Sequence, residues 1–410
     1  MAESRVQLAR EWDTLVDQAR RLGPEFADLL RPPTAESLRP AVAGGAAILV
    51  NVTARRSDAL VVTVDGTRPV PLPLTAAEAA ELANRHLRRV AELDRAAARL
   101  DLAGERVIRH PDGASYQEHY AAVVALQDAR DRLDADLTET LARLWDTVAE
   151  PALAEQSDGA RIWWCPAGLL SFLPLHAAGR PDRPGASVLD RTVSSYTPTL
   201  RALARARAGP DTAGRTGQML VVAVPEAPGE PPLPQALEEA EVVRAAVPAE
   251  RLTVLAGAEA TRAAVLGALP AHDWVHFSCH GALDYEDPSR AGLLLHDGRL
   301  TVADLGRGDY PGSFAFLSAC HTAAGGIRLP DEVITLAAGV HHSGFRHVLA
   351  TLWAVDADVA LALARSVYAG FTPGAGRPDI AAVTRAAVLE RRAAEPGRPS
   401  RWAMFTHTGP

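Results

Sequence analysis

From residue 160 onward the chain sets short, mainly apolar runs against longer stretches in which apolar positions recur every three to four residues. The runs fall at 161–165, 218–224, 252–255, 274–278, 314–319 and 347–352. The longer periodicity predicts helices over 235–247, 261–269, 331–343, 357–371 and 378–393, and the Pro- and Gly-rich piece 225–234 reads as a loop. Strands that are apolar on both faces and alternate with helices predict a buried, largely parallel sheet covered on two sides. Connections in such a sheet are right-handed, and a site is expected at the carboxyl ends of the strands.

The first part of the chain is patterned differently. Val6, Leu8, Trp12, Leu15, Val16, Ala19 and Leu22 mark one face of a lead-in helix that Arg31-Pro32-Pro33 terminates. Runs at 46–52 and 59–64 around Arg55-Arg56-Ser57-Asp58 predict a hairpin or two adjacent strands. Segments 75–107 and 115–154, rich in Ala, Leu, Arg and Glu, predict long helices with a turn at His110-Pro111-Asp112-Gly113. No self-similar period of about 20–50 residues is visible, which excludes a solenoid within this chain.

Composition narrows the class. A length of 410 residues with 48% apolar and 22% charged content suits two domains or one large one, and excludes disorder, collagen and a disulfide miniprotein. No stretch reaches the roughly 20 uninterrupted apolar residues of a membrane-spanning helix. Met1-Ala2-Glu3-Ser4-Arg5 opens an amphipathic helix in place of a secretion signal, so a cytoplasmic protein without a membrane partner is expected. A net charge of −8 from 50 acids and 42 bases, with no basic block, argues against direct binding of nucleic acid. Every base is Arg and Ala is abundant, a composition bias that strips Arg counts of functional meaning. Cys165, Cys279 and Cys320 are too few, and odd in number, for a disulfide framework.

Two strand ends carry candidate chemistry. The run from Trp274 stops on His280-Gly281, and the run from Phe314 stops on Cys320. Neighbouring ends of parallel strands share one edge, so a thiol and an imidazole far apart in sequence can meet in one cleft. A free thiol with a pKa of about 8.5 is only slightly ionised at neutral pH, and a nearby imidazole raises the reactive fraction. The same ring can later protonate a leaving amine. Gly281, without a Cβ, lets the backbone approach a substrate and offers an N–H to a developing oxyanion. Alternation turns Cys279 toward the core, and Cys165 is read as core as well. His276-x-x-Cys279-His280 closes no four-ligand set, so no metal is expected, and His341-His342 read as helix surface or packing.

These residues sit in a wider pattern. His280-Gly281, Leu317-Ser318-Ala319-Cys320-x-Thr322-Ala323, Asp331-Glu332, Leu349-Ala350-Thr351-Leu352-Trp353-x-Val355-Asp356 and Arg401-Trp402-Ala403-x-Phe405 together resemble the CHAT-domain peptidases, which group with caspases, separase, clostripain and the gingipains. Ile162-Trp163-Trp164-Cys165-Pro166-Ala167-Gly168-Leu169-Leu170 and Leu233-Pro234-Gln235-Ala236-x-x-Glu239-Ala240 resemble the first half of the same domain. The resemblance runs from about residue 40 to 410. It implies a caspase-like αβα sandwich with a mostly parallel central sheet. The implied organisation is a helical lead-in (1–40), a pseudo-caspase half with a long helical insertion (41–270, insertion 75–154) and an active caspase-like half (271–410).

By the same resemblance, His280 and Cys320 form the dyad of a cysteine endopeptidase, the Gly281 and Cys320 amides hold the oxyanion, and no cofactor is required. The caspase string around the nucleophile is absent, so preference for aspartate is not carried over. Asp356 has two readings: an N-cap of the helix that follows, or, with Asp358 and Trp353, part of the pocket that in relatives borders the residue before the cleaved bond. Thr322, Gly325, Gly326, Asp331 and Glu332 fall in or beside a nucleophile loop whose reordering is a natural switch. Many relatives carry a TPR array, and a single lead-in helix here places the activating device in another chain. The expected substrate is a partner protein, gasdermin-like or operon-encoded, within a bacterial immunity or cell-death system, with a sensor or TPR-type protein as regulator. The rival reading is a catalytically silent scaffold that docks a sensor through 1–40 and 75–154; a peptidase silent until a partner binds is the third.

Overall fold

The apolar runs are strands of one mixed sheet, the run at 252–255 forming its edge. The computed structural model describes residues 2–23, 26, 30–31, 33–208, 217–282, 284, 287–310, 312–319, 335–371 and 378–410. Its strands are β1 (Gly45–Val52), β2 (Ser57–Val62), β3 (Thr67–Pro71), β4 (Ala160–Pro166), β5 (Thr192–Tyr196), β6 (Met219–Ala223), β7 (Leu252–Ala256), β8 (Trp274–Ser278), β9 (Gly281–Ala282), β10 (Gly292–Leu295), β11 (Gly298–Thr301), β12 (Phe314–Ser318), β13 (His347–Thr351) and β14 (Phe405–Thr408). The main helices are α1 (Ala2–Arg20), α2 (Ala76–Arg109), α3 (Gly113–Leu144), α4 (Leu200–Ala208), α5 (Gln235–Ala246), α6 (Arg262–Ala268), α7 (Leu336–His342), α8 (Ala357–Ala369) and α9 (Ile380–Ala394).

Among the described residues the large sheet runs β3-β2-β1-β4-β5-β14-β13-β12-β8-β6-β7, and β11-β10-β9 form a small one beside it. β1 and β2 form the expected hairpin. β14 is parallel to β5 and antiparallel to β13. As a result β1, β4 and β5 point one way, and β13, β12, β8, β6 and β7 point the other. The carboxyl ends of the two parallel sets therefore lie on opposite edges.

Side-chain alternation explains the layers. Phe314, Phe316 and Leu349 pack with α5, α8 and α9, whereas Ala315, Leu317 and Val348 pack with α6 and α7. Helices thus cover both faces of β6, β8, β12 and β13, the expected αβα sandwich. The boundary expected at residue 270 does not follow the sheet. β6 pairs with β8 along its length, Met219 opposite Trp274, so the strand order separates 45–196 from 219–408 at the β5–β14 junction. Apolar strands and helices alternate in the same way on both sides of residue 270, which leaves sequence patterning nothing to mark the boundary by.

The long helical insertion is an antiparallel hairpin. Thr75 and Glu78 close a capping box at the start of α2, and Asp112 and Ser115 another at the start of α3, each worth about 1 kcal/mol. Leu126, Leu133, Leu137 and Leu141 fall on one stripe of α3 and enter the core beside α8. The far end keeps Leu102, Ile108, Tyr116 and Tyr120 exposed, and α1 exposes Leu8, Trp12 and Leu15 of its apolar stripe.

The junction between the half-sheets is buried and polar. The His407 ring bonds to Ser195 Oγ on one side and to His347 Nδ1 at 3.1 Å on the other. Arg161 reaches Ser195 Oγ at 2.7 Å and the Pro410 carbonyl at 2.8 Å, and Trp163 Nε1 donates to Gly409 O at 3.0 Å. Burial, with His347 and Arg161 alongside, holds the His407 imidazole well below its usual pKa, and burial pushes that of His176 down to about 3.

Two outcomes follow from this packing. Leu133→Ala, which empties a fully buried site, is expected to cost about 3 kcal/mol, read as a lowered urea midpoint at unchanged m-value. The His176 and His407 rings, whose pKa burial lowers, stay neutral in the folded chain, while an unfolded imidazole takes up a proton below about pH 6.5. Stability therefore falls as pH falls from about 6.5 toward 3, by about 1.4 kcal/mol per unit for His176 alone, measurable as urea midpoints at pH 7, 6 and 5.

Candidate active site

β8 and β12 are adjacent and parallel, with Ser318 opposite Ser278. Two residues beyond Ser278 stands His280, half-buried, at the carboxyl end of β8. Its Nε2 lies 2.8 Å from the carbonyl oxygen of Pro231 in the 225–234 loop. A carbonyl only accepts, so Nε2 carries the proton and, in the neutral ring, Nδ1 is the basic nitrogen. The His280 carbonyl accepts the Leu294 N–H at 2.8 Å, and Gly281 pairs with Leu293 in the small sheet. The backbone on both sides of the ring is thus held by ladders.

The neighbouring strand end is fixed in a similar way. Thr351 Oγ1, at the end of β13, donates to the carbonyl of Ala319 at 2.8 Å. Cys320 lies outside the described residues, as do Thr322, Gly325, Gly326, Asp331 and Glu332. The other two thiols are placed. Cys279 is buried among Leu317, Leu293 and Val275 on the face away from His276. Cys165 Sγ lies 3.3 Å from the Pro198 carbonyl, and burial pushes its thiol up to about 11, so it stays protonated at neutral pH.

The remaining sequence-predicted residues lie around Arg401. Asp356 holds the N-cap position of α8, yet its carboxylate caps no N–H. It accepts instead from Arg130 of α3 and from Arg401 Nη1, the latter at 2.6 Å. Arg401 also binds Asp358 at 2.5 Å and Glu395 at 2.9 Å. Both acids of the proposed pocket are therefore engaged by the chain's own guanidinium groups. Trp353 is fully buried, donates from Nε1 to the Ser400 carbonyl at 2.9 Å and packs edge-on against His86. Its ring belongs to the core and not to a cleft wall.

Sequence reasoning missed three features. The Pro231 carbonyl is a backbone group, and only the proline-rich loop around it was legible. Asp101 on α2 stands within electrostatic reach of His280, and desolvation raises its carboxyl pKa. His276, weighed only as a metal ligand, has both ring nitrogens engaged: Nε2 with Glu239 at 2.9 Å and Nδ1 with Tyr368 at 3.0 Å. Glu239 and His276 lie 37 positions apart on a helix and a strand, so local spacing carried no signal for this pairing.

A family model described as the CHAT domain matches residues 138–410. In three dimensions the chain is similar to the Saccharomyces cerevisiae separase–securin complex, with a TM-score of 0.58 at 9% identity over 92% of this chain and 30% of that one. It spans about a third of that relative's length. The Arg-specific cysteine proteinase gingipain R is more distant, with a TM-score of 0.44 at 10% identity over 67% of each chain. No curated protein sequence matches the chain. The domain match covers well over half of the chain, and the separase likeness shares its sandwich of helices on a mostly parallel sheet: the chain belongs to the CHAT domain family and has its caspase-like fold.

Proposed function

We propose that the chain is a cysteine endopeptidase in which His280 and Cys320 act as the dyad. The observation that carries this reading is the register: Ser318 faces Ser278 at the carboxyl edge, and the next-but-one residues of the two segments are Cys320 and His280. The Pro231 carbonyl on Nε2 supports it further, because it leaves Nδ1 as the base. In the proposed reaction the Cys320 proton passes to Nδ1 of His280 and the sulfur attacks the scissile carbonyl carbon. The carbonyl electrons move to oxygen, where the Gly281 and Cys320 amides hold the oxyanion, each worth about 3 kcal/mol. The imidazolium then gives its proton to the leaving nitrogen as the C–N bond breaks. Water, losing a proton to the same ring, attacks the thioester and restores the thiol.

The substrate we propose is a partner protein cut at one or a few sites, with turnover controlled by a regulatory partner. The exposed apolar residues of α1 and of the α2–α3 tip support a docking role for those helices. A place in a bacterial immunity or cell-death system, with a gasdermin-like or operon-encoded substrate, rests on family analogy alone. Among the described residues no helix is long and apolar enough to cross a membrane.

A peptide library incubated with wild type, Cys320→Ala and His280→Ala, read by mass spectrometry, tests the dyad. Loss of cleavage by about 10³-fold or more in both variants is the expected result. A thiol-directed probe gives a second readout, since protonated Cys165 and buried Cys279 should react slowly and Cys320 fast. No cleavage, together with probe labelling that is the same in wild type and Cys320→Ala, would replace the peptidase by a docking module. Asp356→Asn is expected to lower stability by about 1–2 kcal/mol while leaving the residue preference of cleavage unchanged. A changed preference at unchanged melting temperature would return Asp356 to the substrate pocket.

A further inference from the structure

Beneath His280 lies a buried polar trio that the proposed reaction does not use. His276, on β8, is inaccessible to solvent, and Glu239 on α5 and Tyr368 on α8 are 3% and 2% exposed. The chain of bonds is closed: a Tyr O–H and a carboxylate flank the two ring nitrogens, so every proton in it has an acceptor. Burial and the adjacent carboxylate raise the Tyr368 pKa well above its usual value, which keeps its hydroxyl a donor to Nδ1 and leaves Nε2–H for Glu239. Phe316 of β12 meets the His276 ring edge-on at 4.8 Å and stacks on Tyr368 at 6.2 Å. Four elements therefore converge on one imidazole.

What the trio fastens is the loop that orients the base. Val224, at the start of 225–234, donates its N–H to the Ser278 carbonyl at 2.9 Å, which ties the loop's entry to the end of β8. The loop closes on itself through Leu233 N–H to Pro225 O at 2.7 Å and runs directly into α5, where Glu239 grips His276. Both ends of the loop are thus anchored to the strand that carries His280, and Pro231 lies between the anchors with its carbonyl on Nε2. A core position that needed only packing would be served as well by apolar side chains, because burying charged groups costs solvation that their pairing rarely more than offsets. Directional bonds from β8 to two helices serve a different need, the fixing of one relative placement.

We infer that Glu239, His276 and Tyr368 are positioning residues that clamp α5 and the 225–234 loop onto β8, so that the Pro231 carbonyl stays on Nε2 of His280 and its Nδ1 remains the base. The inference rests on the reading of His280 as the base, and its test is independent of turnover. Histidine-selective 15N spectra of the full chain report the tautomer of each ring, with His280→Ala supplying the assignment, and hydrogen exchange reports the loop amides of Glu230 and Leu233. In wild type His280 should hold the Nε2–H tautomer. Tyr368→Phe and Glu239→Leu should shift it to a mixture and speed exchange at those two amides about tenfold, whereas Glu239→Gln, which keeps an acceptor for His276, should stay close to wild type.

Folded variants with an unchanged His280 tautomer and unchanged loop exchange would overturn the inference and leave the trio a purely stabilising feature. A wild-type ring without the Nε2–H tautomer would overturn it as well. Should Glu239→Leu fail to fold, Tyr368→Phe alone, which keeps the ring packed on Phe316, decides. Failure of the dyad reading would be seen elsewhere, as cleavage or thiol labelling indifferent to His280→Ala, and would leave these spectra unchanged.

Discussion

The sheet exists as one body because β14 can pair on both sides. It is parallel to one half-sheet and antiparallel to the other, and its backbone contact with β5 is short, with a single pair of facing residues. Side chains supply the rest of the join: Ser195, His407, His347, Arg161 and Trp163 bond across it. Each of these groups is buried or nearly so, where an unmade hydrogen bond would cost about 1–3 kcal/mol. The reversal of direction that β14 imposes sends the carboxyl ends of β8 and β12 to one edge and those of β4 and β5 to the other. A single edge therefore gathers His280, its carbonyl partner and the segment that leads to Cys320.

At that edge the arrangement relies on backbone more than on side chains. Among the described residues it is a carbonyl in a proline-rich loop that bonds to the His280 ring, and a carbonyl, which only accepts, fixes the tautomer. The strand end before Cys320 is held through a carbonyl as well, by Thr351. The arginine-bridged acids Asp356, Asp358 and Glu395 belong to the frame of this edge. Arg130 and Arg401 tie α3, α8 and the 395–401 segment into one unit, and Asp134 of α3 adds a bond to the Ser400 amide at 2.7 Å.

How much of this was legible in the sequence depended on whether burial was achieved by apolar side chains. β6, β8, β12 and β13 were visible as apolar runs because they are covered on both faces by helices. The α2–α3 hairpin was visible in its composition and in the turn at His110–Gly113. β5 and β14 were not, since Thr-Val-Ser-Ser-Tyr and Phe-Thr-His-Thr look like solvent-facing segments until their hydroxyls and rings are seen bonding to one another in the core. His280 was legible as a residue at a strand end. Its Pro231 partner was not, because any residue in the loop presents the same carbonyl and only the path of the chain selects one. Asp356 misled for a related reason: the position is a helix start, but two arginines distant in sequence claim the side chain.

The placement of β14 also shapes how the molecule is assembled. The Ser195–His407 bond joins residues 212 positions apart, so the central strand of the sheet depends on a contact that can form only after most of the chain is in place. Until then β5 and β13 each present a free edge of unpaired N–H and C=O groups, the kind of surface that recruits strands from other molecules. Folding of such a topology is slow relative to that of local structure, and its late intermediate is open to self-association. The strand that unites the two halves is thus also the one whose absence would leave two sticky edges in place of one continuous sheet.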